Sequence, residues 1–93
     1  INNVAENTNN VVVNTASVIK AYSAAIIEKG FPNKKKPAME LNLLCEDEGI
    51  TLLINDNCKG FLVTEHVDSA AMPVKSAEQY QVLGLNKTKV IIE

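Results

Sequence analysis

Apolar and small residues recur at helical spacing through the first third of the chain, at Val4, Ala5, Thr8, Val12, Ala16, Ile19, Tyr22 and Ile26. Steps of three and four residues place them along one face of a helix. The run Val11-Val12-Val13 alone would suit a strand, because β-branched residues prefer one. The longer helical period outweighs it. A stop signal follows at Glu28-Lys29-Gly30 and Pro32. Gly30 can take a left-handed cap, and Pro32 cannot continue a helix. The pattern predicts a helix over about residues 5–29. Its first two turns have the least support, since Asn2, Asn3, Asn7, Asn9, Asn10 and Asn14 crowd the start. Asn is a poor helix former, and such a helix is marginal in water unless packing holds it.

Residues 31–38 read as a loop bracketed by Pro32 and Pro37 and carrying Lys34, Lys35 and Lys36. Beyond it the period changes to two. Met39, Leu41, Leu43 and Cys45 share one face of a strand, with Glu40 and Asn42 opposite. Glu46-Asp47-Glu48-Gly49 reads as a tight turn, and Ile50–Ile54 as a strand buried on both faces. Asn55–Gly60 is a second turn, rich in residues that tolerate left-handed backbone. Phe61–Glu65 completes a three-stranded meander. Ser76-Ala77-Glu78-Gln79 has the form of a capping box and predicts a short second helix ending near Leu83-Gly84. Thr88–Ile92 is β-branched enough for a last strand. The fold class is α+β: a long N-terminal amphipathic helix packed on a small antiparallel sheet of three to four strands, with a short second helix. Residues 1–93 form one domain, its strand-rich half running over 39–93.

Composition narrows the function classes. With 46% hydrophobic residues in 93, the chain can fold around a modest core. A net charge of −2 gives no electrostatic reason to expect nucleic acid or an anionic membrane as partner. Tyr22, Phe31, Phe61 and Tyr80 are too sparse for a base-stacking platform. No run is apolar throughout for the ~20 residues that a transmembrane helix takes. A membrane role would have to come through a segment preceding Ile1.

The side chains that could carry chemistry are few. Cys45 and Cys58 are the only cysteines. A disulfide between them would close a loop of about 14 residues, contributing ~3 kcal/mol in the chain-entropy model. In the meander, however, they stand at opposite ends of the second strand, ~15 Å apart, beyond the ~7 Å that a bridge allows. Either the bridge forms and 46–58 curls, or the meander forms and the thiols stay free. The first alternative suits an extracytoplasmic location and the second a cytoplasmic one. His66 lies in Glu65-His66-Val67-Asp68-Ser69, which holds the residue types of a hydrolase triad without the spatial arrangement that one needs. A Cys58–His66 pair is the nearest approach to a nucleophilic dyad. Cys45, Cys58 and His66 lack the paired spacing of a zinc site. The isolated glycines offer no phosphate loop. The sequence therefore points away from an enzyme and calls for no cofactor or metal. Lys34, Lys35 and Lys36 are the candidate partner contact.

The stretch ending Ile26-Ile27-Glu28-Lys29-Gly30-Phe31-Pro32, a long helix closing on Phe-Pro before a small sheet, resembles the globular part of type IV pilins and secretion-system pseudopilins. A chain that opens at Ile1 inside a helical pattern is similar to a pilin trimmed of its apolar first half. The resemblance implies a non-catalytic structural or assembly subunit of a surface or secretion filament, extracytoplasmic, whose partners are other protein subunits, itself included. The other class that the organisation suits is a small partner-binding module: an immunity or inhibitor protein, a secretion chaperone or a periplasmic interaction domain. Such a module would bind through a strand edge or a helix face.

Overall fold

A computed structural model describes the backbone of residues 2–47 and 49–93 and the side chains of 10–47 and 49–93. Val4, Ala5 and Thr8 of the sequence stripe, and Glu48 of the acidic turn, lie outside the described side chains. The architecture is α+β, as the patterning predicts. One helix, α1 (Asn2–Ala25), continues into a π-helical turn at Ile26–Gly30. It packs on one face of a four-stranded antiparallel sheet made of β1 (Met39–Glu46), β2 (Gly49–Asp56), β3 (Val74–Val82) and β4 (Leu85–Ile92), in the order β1-β2-β4-β3.

The helix stripe is rotated from the one read in the sequence. The buried positions are Thr15, Val18, Tyr22, Ala25 and Ile26, with Ile19 only partly covered, while Val12 and Ala16 are exposed. The series 15, 18, 22, 25, 26 is itself a helical face. The sheet selects it because Val18, Tyr22 and Ile26 are the bulkier residues on that side. Its partners come from the two central strands. The rows Ile50–Ile92, Leu52–Val90 and Ile54–Thr88 pair across β2 and β4, and all six side chains lie on the helix side. The core proper is Val18, Tyr22, Ile26, Leu52, Ile54, Val63, Val90 and Ile92, with Phe61 and Cys58 at its rim.

The expected third strand, Phe61–Glu65, is a 3-10 turn (Val63–Glu65) inside the long connection from β2 to β3. A second 3-10 turn at Ser69–Ala71 follows. Phe61 and Val63 still alternate inward with Leu62 and Thr64 outward, which is the pattern that mimicked a strand. The expected helix from Ser76 is instead strand β3, paired with β4 along its whole length after a register shift between Val74 and Ser76. That bulge displaces the alternation by one residue and hides it from a period-two reading. Helical turns are thus present, but in the connection. This connection packs beside α1 over the β3 half of the sheet, where the Gln79 side-chain amide donates to the Phe61 carbonyl at 2.8 Å.

Two glycines act differently from expectation. Gly30 does not take left-handed backbone; a side chain there would place its Cβ 3.0 Å from the Cys58 sulfur and 3.1 Å from the Phe61 ring. It serves close packing at the helix end rather than a cap. Between β3 and β4 the tight turn is Leu83-Gly84, with φ of 53° and 81°. Positive φ at both central positions is the form that hairpin twist favours, but Leu bears a steric cost there that Asn or Gly avoids. Leu83 is also 98% exposed, so no packing compensates. Leu83→Asn is expected to raise unfolding free energy by ~1 kcal/mol in urea melts. Ile26→Ala should cost ~2–5 kcal/mol by the same measurement, while Ile27→Ala, one residue on and half exposed, should stay within about 0.5 kcal/mol of wild type.

Candidate functional site

The sheet has two ends, and the chain uses them differently. Each strand reverses near the row Cys45–Ile50–Ile92–Val74 at one end and near the row Met39–Asp56–Asn86–Gln81 at the other. The helix enters at the first end, where the Asn14 amide donates to the Glu93 carbonyl at 3.3 Å. It finishes at the second, where the Cys58 thiol donates to the Gly30 carbonyl.

At the second end the loop 31–38 carries the predicted lysines, and Asn57 clamps it. The Ala38 amide donates to Asn57 Oδ1 at 2.9 Å, and Asn57 Nδ2 donates to the Lys36 carbonyl at 2.8 Å. The Asn57 amide reaches the Ala38 carbonyl at 3.2 Å, and the Lys34 amide closes a turn on Phe31 at 2.9 Å. Below the clamp lies a buried polar node. Asp56 Oδ1 accepts from the Cys58 amide at 2.8 Å and from Asn86 Nδ2 at 3.0 Å. The same Asn86 amide group donates to the Cys58 carbonyl, and Asn86 Oδ1 accepts from Gln81 at 2.8 Å. Asp56 and Asn86 are sealed from solvent, so these bonds satisfy the Asn86 amide and one oxygen of Asp56, groups whose desolvation would otherwise be costly. The node fixes where β2 ends and hence where the lysine loop sits.

Lys34, Lys35 and Lys36 are all exposed, and two lysines absent from the sequence prediction join them. Lys29, Lys34 and Lys59 border a shallow hollow of about 270 Å³ together with Gly30, Asn33 and Cys58. Lys29 lies at the helix end and Lys59 in the turn after β2. Only the fold brings them together, so spacing along the chain could not find them. Five of the nine basic residues of the chain thus occupy this end.

The other sequence candidates are dispersed. Cys45 and Cys58 are free thiols at opposite ends of the sheet: the bridge is not formed, and of the expected meander only the β1–β2 pair is present, since its third strand is a 3-10 turn. Cys58 bonds Gly30, whereas the His66 ring stacks on Phe61 with centroids 5.0 Å apart, so no Cys58–His66 dyad is assembled. Asp68 caps its own turn, accepting from the Ala70 amide at 3.1 Å, and does not orient His66. Cys45 is a sheet length from Cys58, which disperses the three residues weighed as zinc ligands. Burial first, and the Asp56 carboxylate second, push the Cys58 thiol above its ordinary 9.0, with Lys34 pulling weakly the other way. The thiol is therefore a protonated donor at neutral pH and a poor nucleophile.

Timed alkylation in native buffer should modify the exposed Cys45 quickly and Cys58 only slowly, with denaturant making the two rates alike. Because folding raises the Cys58 pKa, the folded state keeps this proton longer. Its contribution to stability should be full below pH 9 and fall as the pH climbs past that value, as urea melts across an alkaline series would read out. Comparison of the chain with family models, with curated proteins and with solved structures gives no match.

Proposed function

We propose that the chain is a non-catalytic assembly subunit, a pilin- or pseudopilin-like domain of a surface or secretion filament that packs against other protein subunits, copies of itself included. The mismatch between helix and sheet is the observation that carries this reading. Residues 14–30 span about 24 Å of helix, equal to the ~24 Å of an eight-residue strand. Residues 2–13 therefore project ~18 Å past the sheet, in keeping with a molecule 50 Å long and 22 Å across. Val11 continues the stripe of Thr15, Val18 and Tyr22, but the sheet ends before reaching it. Val12 and Val13 are 62% and 61% exposed. A helix with uncovered apolar residues on several sides suits insertion among other helices.

The stretch Asn10–Gly30 adds support, being long and apolar enough to cross a bilayer by length and composition. Lys20 and several small polar residues interrupt the stretch, so it is not an unbroken apolar run. An extracytoplasmic location goes with this reading, whereas the free Cys45 and Cys58 suit the cytoplasmic alternative. One observation favours the second reading, a binding module: β1 is an edge strand with Leu41, Leu43 and Leu44 all exposed, an edge suited to strand addition.

Sedimentation equilibrium from micromolar to millimolar concentration should show mass rising with concentration for the intact chain. The double variant Val12→Asp, Val13→Asp should stay monomeric while its melting curve moves by no more than about 0.5 kcal/mol, since both sites are exposed. A monomer at every concentration would remove the assembly reading and leave the edge-strand one.

A further inference from the structure

The reversals of an antiparallel sheet fall at its two ends, and here they carry opposite charge. Lys29, Lys34, Lys35, Lys36 and Lys59 gather where the helix finishes and outnumber the exposed Glu28 and Glu40 of that end, which is therefore net basic. Glu46 and Asp47 stand in the β1–β2 turn at the other end, beside the exposed Glu93 that follows β4. Asp68, before β3, lies toward that same end, and Lys75 is its one basic neighbour along the chain. The projecting helix leaves from the acidic end.

One apolar surface also lacks a cover. Cross-strand register puts Met39, Leu41, Leu43 and Cys45 of β1 on the same side as Leu52 and Val90, facing the helix layer. α1 lies over the central strands and the β2–β3 connection over β3, so β1 is left bare. Leu41 is 40% and Leu43 47% exposed. Positions 39–45 extend ~20 Å along the strand, and the projecting helix of residues 2–13 is ~18 Å long.

Resting on the assembly reading above, we infer that the partner of both surfaces is a second copy of this chain, added head to tail. The acidic end of one copy meets the lysine end of the next. The projecting helix of residues 2–13, leaving from that acidic end, is carried alongside the neighbour toward the Leu41–Leu43 shelf, with Val11–Val13 at the junction between the two copies. The contact joins two different surfaces and leaves one of each free on every pair, so it propagates into a linear array rather than closing as a dimer. Its ionic part weakens with salt, because the screening length falls from roughly 30 Å at 0.01 M to about 3 Å at 1 M.

Sedimentation velocity of the intact chain tests this. Wild type should form a broadening series of species at low salt and shift toward monomer at high salt. The variants Lys34→Glu/Lys35→Glu/Lys36→Glu and Glu46→Lys/Asp47→Lys should each stay monomeric with unchanged circular dichroism. Their equal mixture should recover most of the wild-type association, which a damaged fold could not do. Leu41→Asp/Leu43→Asp should reduce association at all salt concentrations. Wild-type association that neither charge variant alters would overturn this interface while keeping the assembly reading. A wild type monomeric under every condition would overturn both. The proposal also fails if wild type stays monomeric but co-sediments with phosphatidylcholine–phosphatidylglycerol vesicles through Lys34–Lys36, which would make the basic end a lipid contact.

Discussion

The burial of Val18, Tyr22 and Ile26 on Leu52, Ile54, Val90 and Ile92 is the interaction on which the rest of the molecule depends. It holds the only long helix among the described residues against the two central strands, and it decides what is left uncovered. A helix is ~10 Å wide, whereas four strands place their outer axes ~14 Å apart, so one helix cannot cover the sheet. The β2–β3 connection makes up the difference on the β3 side, with Phe61, Val63, Val67 and Met72 against the core. Among the described residues nothing does so on the β1 side. The exposed Leu41 and Leu43 follow from that geometry.

The same packing explains why close approach matters at the helix end. Gly30, Cys58 and Phe61 crowd together where α1 finishes, and the Cys58 thiol satisfies the Gly30 carbonyl inside that contact. A terminal helix carbonyl would otherwise lack a partner. The Asp56–Asn86 node lies directly beneath, so helix end, β2 end and lysine loop are tied into one unit. Asp56 Oδ2 has no partner among the described residues, which leaves this buried carboxylate only half satisfied. A polar node of this kind fixes position more than it adds stability.

Much of the fold is legible in the residues. The loop at 31–38, the alternation from Met39, the central strand at Ile50–Ile54 and the last strand all read directly, because one period dominates each. The failures have specific causes. Ser76-Ala77-Glu78-Gln79 satisfies a local helix rule, but pairing with the β-branched β4 overrides it, and the Val74/Ser76 bulge breaks the alternation that would have announced a strand. Leu83-Gly84 lacks the Asn-Gly or Asp-Gly signature of its turn. Phe61–Glu65 alternates without pairing because it packs as a coil over a sheet edge. At the candidate site Lys34–Lys36 were visible as a run. Lys29 and Lys59 were not, since only β2 and the helix end bring them beside it.

Charge placement shows how topology turns local composition into a property of the whole molecule. Read along the chain, the acidic turn at Glu46-Asp47 and the lysine loop are solvated segments with no relation to each other. An antiparallel sheet collects its turns into two groups a strand length apart. Any bias in turn composition then becomes a difference between ends. A net charge of −2 conceals this, because it sums over both ends and everything between them. The helix, longer than the sheet by ~18 Å, adds a direction to that polarity by leaving from one end only.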